Sequence, residues 1–280
     1  MRTYLDCYPC FVRQALEAAR FAGATTAQQR EVMHQTLELM LALDPAATPP
    51  EIGDQIHRMV RQVTGQRDPY QEAKRSSTEQ ALALYPRLKT LLAAATDPLD
   101  VAVRLSIAGN IIDLGTVQTY DLWDTVERVL GQPYAIGDDA AFRAALAQAQ
   151  NVLYLADNAG ETVFDRLLIE TFPVPVTYVV KGGPVLNDAT WEDAVAAGLD
   201  KVAVLTDSGV DATGTILNRC SAEFRQLYAD ADVIIAKGQA NYESLSPGDS
   251  RLFFLLQVKC PVIGRDLGVP DGSIVLKQGG

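Results

Sequence analysis

From about Asn151 onward, short β-branched apolar runs alternate with helical stretches, and this alternation narrows the architectures open to the chain. The runs are Val152–Ala156, Val174–Val180, Val202–Leu205, Val233–Ala236 and Pro261–Gly264. Helical patterning lies between them at Thr162–Thr171, Thr190–Ala197 and Ala222–Ala229. Continuous apolar strands joined through helices predict a parallel sheet covered on both faces.

Residues 1 to about 130 read as helical instead. Cys10–Ala22, Thr26–Leu43 and Ile52–Thr64 carry apolar residues at spacings of three and four, the mark of amphipathic helices. Tyr70–Tyr85 reads as a further helix followed by Pro86, with Leu88–Ala95 continuing in helical composition until Asp97-Pro98 ends it. The expected fold is therefore α/β. A helical N-terminal domain over residues 1–100 packs on a catalytic domain over 101–280, whose mostly parallel, helix-covered sheet makes a three-layer αβα arrangement.

At 280 residues with 48% hydrophobic content, the chain can bury a sizeable core. Its 24 basic against 35 acidic side chains give a net charge of −11, which argues against nucleic acid or an anionic membrane as partner. The opening residues lack a signal-peptide pattern, and no apolar stretch reaches membrane-spanning length. Four cysteines are too few for a disulfide framework and fit reduced thiols in a cytoplasmic protein. Oligomeric state has no signature in the sequence.

Every one of the five apolar runs ends in a polar, glycine-bearing segment, and open α/β sheets bind ligands outside the carboxyl ends of their strands. After the first comes Asp157-Asn158-Ala159-Gly160-Glu161. Its side-chain oxygens suit a hard cation, and Asp157 or Asn158 equally suits a helix cap. After the second, Lys181-Gly182-Gly183-Pro184 precedes Asn187-Asp188. Together the two loops can present Asp157, Asn158 and Asp188 to one ion, with positions left for water and substrate. Lys237, at the end of the fourth run and followed by Gly238 and Asn241, can meet a phosphate or snorkel to the sheet rim. Ser208-Gly209, after the third, offers a hydroxyl and backbone donors, or simply a turn. Asn110 and Asp113, three apart in an apolar stretch, read as a buried hydrogen-bonded pair or as support behind the site.

GNIID, DNAGE, KGGPVLNDAT, TDSG and KGQANYESL occur in that order, with CYPC near the start and KCPVIGRDLGVPDGSIVLK at the end. The series resembles the metal-dependent damage-control phosphatases, domain-of-unknown-function family 89, and CYPC resembles its prokaryotic-type subgroup with an N-terminal cysteine pair. The resemblance implies a divalent-metal phosphatase in which Asp157, Asn158 and Asp188 are metal ligands and Lys237 contacts the substrate phosphate. Mg²⁺ or Mn²⁺ is the expected metal, with Ni²⁺ or Co²⁺ as alternatives.

The expected activity is hydrolysis of small phosphorylated metabolites, such as sugar phosphates. Gly182, Gly183, Ser208, Gly209 and Asn241 would line the phosphate, and Glu161 or Asp113 would orient the attacking water or a ligand. Cys7 and Cys10, with Cys260 as third ligand, form half or more of a structural metal clip, or else are reduced thiols. The rim contains no histidine, which argues against a Ser-His-Asp hydrolase; His34 and His57 read as surface or boundary residues on amphipathic helices. Two rival readings are a methyltransferase with a nucleotide-like methyl donor and a non-catalytic metabolite-binding protein.

Overall fold

The computed structural model describes residues 1–110 and 122–280. Asp113 lies outside them. The described residues form one seven-stranded sheet: β1 (Tyr134–Gly137), β2 (Val152–Leu155), β3 (Val176–Val180), β4 (Val204–Asp207), β5 (Val233–Lys237), β6 (Leu252–Gln257) and β7 (Ile274–Gln278). The strand order is β1-β7-β6-β5-β2-β3-β4. Strands β2 to β6 are mutually parallel, β7 runs antiparallel to β6, and β1 pairs parallel with β7. The architecture is the expected mostly parallel, helix-covered α/β sheet.

Strand β2 shows why the apolar runs were continuous. Val152 and Tyr154 pack into one hydrophobic cluster while Leu153 and Leu155 pack into another on the opposite face. Successive side chains point to opposite faces, so a strand covered on both must be apolar throughout. One face is covered by α5 (Pro98–Gly109), α7 (Asp139–Gln148), α8 (Thr162–Ile169) and α9 (Trp191–Ala196). On the other lie α10 (Ala222–Asp230), α11 (Gly238–Leu245) and α12 (Pro261–Leu267). A third cluster joins α1 (Cys7–Phe21), α2 (Thr26–Leu41) and α3 (Pro49–Thr64), and reaches Val262 of α12.

One strand expectation is corrected. Pro261–Gly264 is not a strand but the first turn of α12, where Pro261 stands at a helix start that needs no N–H there. Its place in the sheet belongs to β6, whose six residues are all buried. Four-residue apolar runs do not distinguish strand from buried helix. Helix α4 runs unbroken from Gln71 to Ala93 around Pro86, in line with the helical composition that continues past it. A proline removes one backbone hydrogen bond, and the remaining turns of this long helix carry it through.

Helix α4 also braces the strand ends. A Cβ on Gly160 would lie 2.8 Å from Ser77 Cβ, so the turn after β2 sits directly on the helix. One turn earlier, the buried Lys74 bonds Asp193 at 3.1 Å and Asp68 at 2.9 Å. Asp193 in turn accepts from Thr190 at the start of α9. The helical region thus fixes the loops that follow β2 and β3.

Candidate active site

The strand order places a switch point beside β2. From β2 the chain moves outward to β3 and β4, then returns to β5 on the other side of β2. Loops leaving β2 and β5 therefore diverge, and a crevice opens between them. Asp157 and Gly238 meet in that crevice. Gly238 has φ +76°, and a Cβ there would lie 1.8 Å from Asp157 Oδ2, so only glycine fits on both counts. Gly238→Ala is expected to push Asp157 out of place, with kcat/KM falling at least about tenfold and stability by about 1–2 kcal/mol from the left-handed backbone alone. Kinetics and denaturant melts check it; wild-type values in both would contradict this packing.

The loops after β2 and β3 are sewn together by their backbones. Ala159 N–H donates to Asn187 O at 2.8 Å, Ala189 N–H to Asp157 O at 2.8 Å, and Asn158 and Asp188 form an isolated antiparallel bridge. Asp157, Asn158 and Asp188, adjacent only in pairs along the chain, are thereby brought to one place. Leu186, just before this bridge, holds φ +46°, a left-handed conformation that costs a non-glycine residue on the order of 1–3 kcal/mol. The bridge that follows holds it there.

Beneath Asp157 lies a buried polar layer. Asn110, at the end of α5, donates to Asp157 Oδ2 at 2.7 Å and to Glu161 Oε2 at 2.9 Å. Asn158 Nδ2 donates to the same two oxygens at 3.0 and 3.2 Å. Asn110 comes this close because Gly109 lets α5 touch α8, where a Cβ would be 2.9 Å from Phe164 Cβ. Burial pushes the Asp157 carboxyl up to about 7, and the charge of Asp188 adds to the shift, while Lys181 and Lys259 oppose it. Glu161 is also raised, first by burial and against the pull of Lys237.

Lys237 is not at the open rim. It is 0% exposed, and its ammonium donates to Ser106 O at 3.0 Å, to Asp165 Oδ1 at 2.8 Å and to Glu161 Oε1. All three protons are engaged by protein. Burial pulls its pKa down, but Asp165 and Glu161 outweigh that and hold the group charged. Asp165 further accepts from Tyr154 OH at 2.7 Å, Tyr178 OH at 2.8 Å and Ser106 Oγ at 2.9 Å. Tyr154 and Tyr178 are register partners on β2 and β3. The sequence reading missed this network. Its signal was an aspartate four residues after Glu161, on the same face of one helix.

Several other expected phosphate donors are engaged elsewhere. Gly182 N–H bonds Val210 O at 2.9 Å, and Gly209 N–H bonds Asp207 Oδ1 at 2.7 Å. Ser208 Oγ closes its own turn with Val210. Asn241 is fully buried and donates to Ala156 O and Lys237 O while accepting from Thr215; it ties β5 to the end of β2. Gly183 N–H has no hydrogen bond among the described residues. Lys181, passed over by the sequence reading, donates to Gly214 O at 2.6 Å and faces Asp188 at 3.4 Å.

The four cysteines are free thiols. Cys7 and Cys260 pack into the same α1–α3 cluster, and Cys10 is exposed. Among the described residues, no three histidine, cysteine, aspartate or glutamate side chains converge in the arrangement that holds an ion. Beside the Asp157 and Asp188 carboxylates stands the Asn158 amide, not a third carboxylate. Among the described residues, no helix is long and apolar enough to cross a membrane.

A family model described as the damage-control phosphatase ARMT1-like domain matches residues 3–275. A damage-control phosphatase of Pyrococcus horikoshii is 35% identical over 98% of this chain and 97% of its own length. One from Archaeoglobus fulgidus is 37% identical over 81% of each chain. The crystal structure of a DUF89 family protein from Pyrococcus horikoshii covers the whole chain with a TM-score of 0.92 at 34% identity. With its motif series, its switch-point crevice and these matches taken together, the chain belongs to the ARMT1-like (DUF89) damage-control phosphatase family.

Proposed function

We propose that the chain is a divalent-metal-dependent phosphatase that hydrolyses small phosphorylated metabolites. The observation that carries the reading is the Asn158–Asp188 bridge, which sets two carboxylates and an amide side by side at the sheet's switch point. Family membership supports phosphatase chemistry and leaves methyl transfer without support. The donor set fits a hard cation such as Mg²⁺ or Mn²⁺. Asp157 is buried and burdened by the charge of Asp188, a repulsion that a cation relieves. Asn110 Oδ1 is buried with no hydrogen-bond partner among the described residues, a further oxygen beside the pair.

In this reading Asp157, Asn158 and Asp188 hold the ion. When bound, the metal supplies a Lewis acid for the phosphoryl oxygens and a means of lowering the pKa of water. The chain does the rest by position. Asn110 and Asn158 fix the Asp157 carboxylate, and Glu161 is fixed by Lys237 from below. We assign Glu161 to orienting the nucleophilic water through this layer, since Asn110 and Asn158 tie its Oε2 to the Asp157 carboxylate. Lys237 acts as a positioning residue and a buried positive field, not as a contact to phosphate. Lys259 is exposed and close enough to lower the Asp157 pKa, and it is the cation assigned to the incoming phosphate.

The test is phosphate release from a panel of phosphorylated sugars and related phosphoesters. Turnover is expected with Mg²⁺ or Mn²⁺, lost with EDTA and restored by adding metal back. Release that persists through exhaustive chelation would sink the metal requirement. No release from any phosphoester would favour a binding protein.

A further inference from the structure

Past the Asp188 loop, above the ends of β3 and β4, lies a second cavity of about 180 Å³. Its floor is backbone: Gly182, Gly183 and Gly209 line it, and a Cβ on Gly182 would meet Gly209 C and Val210 N at 2.7 Å. Its walls are charged and come from the helical region. Arg61 of α3 donates to Asp211 Oδ2 at 2.7 Å and to Pro184 O at 3.1 Å, and Arg58 reaches Asp211 Oδ1 at 3.0 Å. Two guanidinium groups thus answer the one carboxylate in the wall.

Arg67 completes the lining and is exposed, with no hydrogen bond or ion pair among the described residues. In a chain of net charge −11, a cavity whose residual charge is positive is a local exception. A small void of about 10 Å³, near the room for one water, shares Arg61, Arg67 and Pro184 with it. His57 lines that void. Contrary to its surface-or-boundary reading, it is only 4% exposed, and its Nε2 has no hydrogen-bond partner among the described residues. An unsatisfied buried polar atom beside unspent cationic and N–H donors marks a place made for a polar ligand group.

We propose that the Arg61–Arg67 cavity is a second anion subsite, which binds a negative group on the leaving-group side of the substrate. This rests on the phosphatase reading above and narrows it, because the subsite selects phosphomonoesters that carry a second anionic group. The geometry gives the spacing. Neighbouring strands lie about 4.8 Å apart, so the ends of β2 and β4 are separated by roughly 10 Å. The transferred phosphate sits over β2 and the second charge over β3 and β4. A phosphorylated sugar acid, with its charges at opposite ends of a short carbon chain, matches that span, while a neutral sugar phosphate leaves the arginines unused.

Sorbitol 6-phosphate and 6-phosphogluconate are a matched test pair, both open six-carbon chains and differing in the far carboxylate. The wild-type enzyme with Mg²⁺ is expected to prefer 6-phosphogluconate in kcat/KM by about tenfold, the worth of one charge-assisted contact. In Arg67→Ala, KM for 6-phosphogluconate should rise by a similar factor with kcat little changed, and the preference should collapse toward one. The melting temperature should match wild type, because no part of the fold leans on Arg67. Equal use of the two compounds by wild type, or a preference that survives in Arg67→Ala, overturns the subsite. If neither compound is hydrolysed, the wider phosphoester panel decides the phosphatase reading and calorimetric titration of 6-phosphogluconate decides the subsite alone. Binding weakened about tenfold in Arg67→Ala supports it, and unchanged binding overturns it.

Discussion

Lys237→Met is expected to destabilise the protein by about 3–5 kcal/mol at neutral pH, the cost of removing one member of a buried ion cluster. Methionine fills a similar volume, so the loss is electrostatic. Glu161 and Asp165 would remain 0% exposed without the ammonium that now bonds both. Loss of the ammonium raises the folded-state pKa of Glu161 further above the unfolded value of about 4, and the variant relieves the repulsion by protonation. A carboxylate with a raised folded pKa contributes stability that is present at low pH and lost as pH climbs toward that pKa. The gap from wild type should therefore be smaller at acid pH and widen toward pH 8. Urea denaturation across this range measures it. Adding Glu161→Gln to the variant should recover part of the loss, because it removes one stranded charge. A Lys237→Met protein within 1 kcal/mol of wild type at pH 8 would show that the ammonium does not hold the layer.

Asp157→Asn should lower kcat/KM by at least about 10³-fold, equivalent to about 4 kcal/mol of transition-state stabilisation. The same change should make the metal-free protein slightly more stable. Asp157 is buried, its carboxyl is raised by burial and by Asp188, and an amide of the same shape removes that repulsion. Its oxygen can still accept from Asn110 and Asn158. Wild type should gain melting temperature when Mn²⁺ is titrated in, as any ligand that binds only the folded state requires, and the variant should gain far less. Opposite signs for stability and activity separate a ligand residue from a residue that merely supports the fold. Retained turnover, or an undiminished metal-induced shift, would remove Asp157 from the ligand set.

Asn158, Glu161 and Asn110 show how much of the site was legible beforehand. DNAGE after a continuous apolar strand placed Asp157 and Asn158 at a carboxyl end, because strand periodicity and the following helix are local properties. Lys237 was legible as a strand-end residue but not in its direction. Whether such a lysine snorkels outward or turns under the sheet depends on what lies below, and here Ser106, Glu161 and Asp165 come from two helices distant in sequence. Asn241 and Ser208 were drawn inward or into their own turns by partners that no spacing announces. In the fold, β6 was missed and α12 mistaken for a strand because a short run that is buried all round loses the periodicity that tells the two apart.

The sequence by itself determined that this chain alternates strand and helix, and that polar, glycine-bearing segments follow β2, β3, β4 and β5. Those are consequences of nearest-neighbour geometry, with periods of 2 and 3.6 written directly in residue order. Only the tertiary structure decided which strand ends are neighbours. It set β5 rather than β4 beside β2, seated Gly238 against Asp157, bridged Asn158 to Asp188, sank Lys237 beneath them and hung Arg61 and Arg67 over the next two strands. Strand order is fixed by long-range burial of the whole sheet between its helices, and no single segment carries that information.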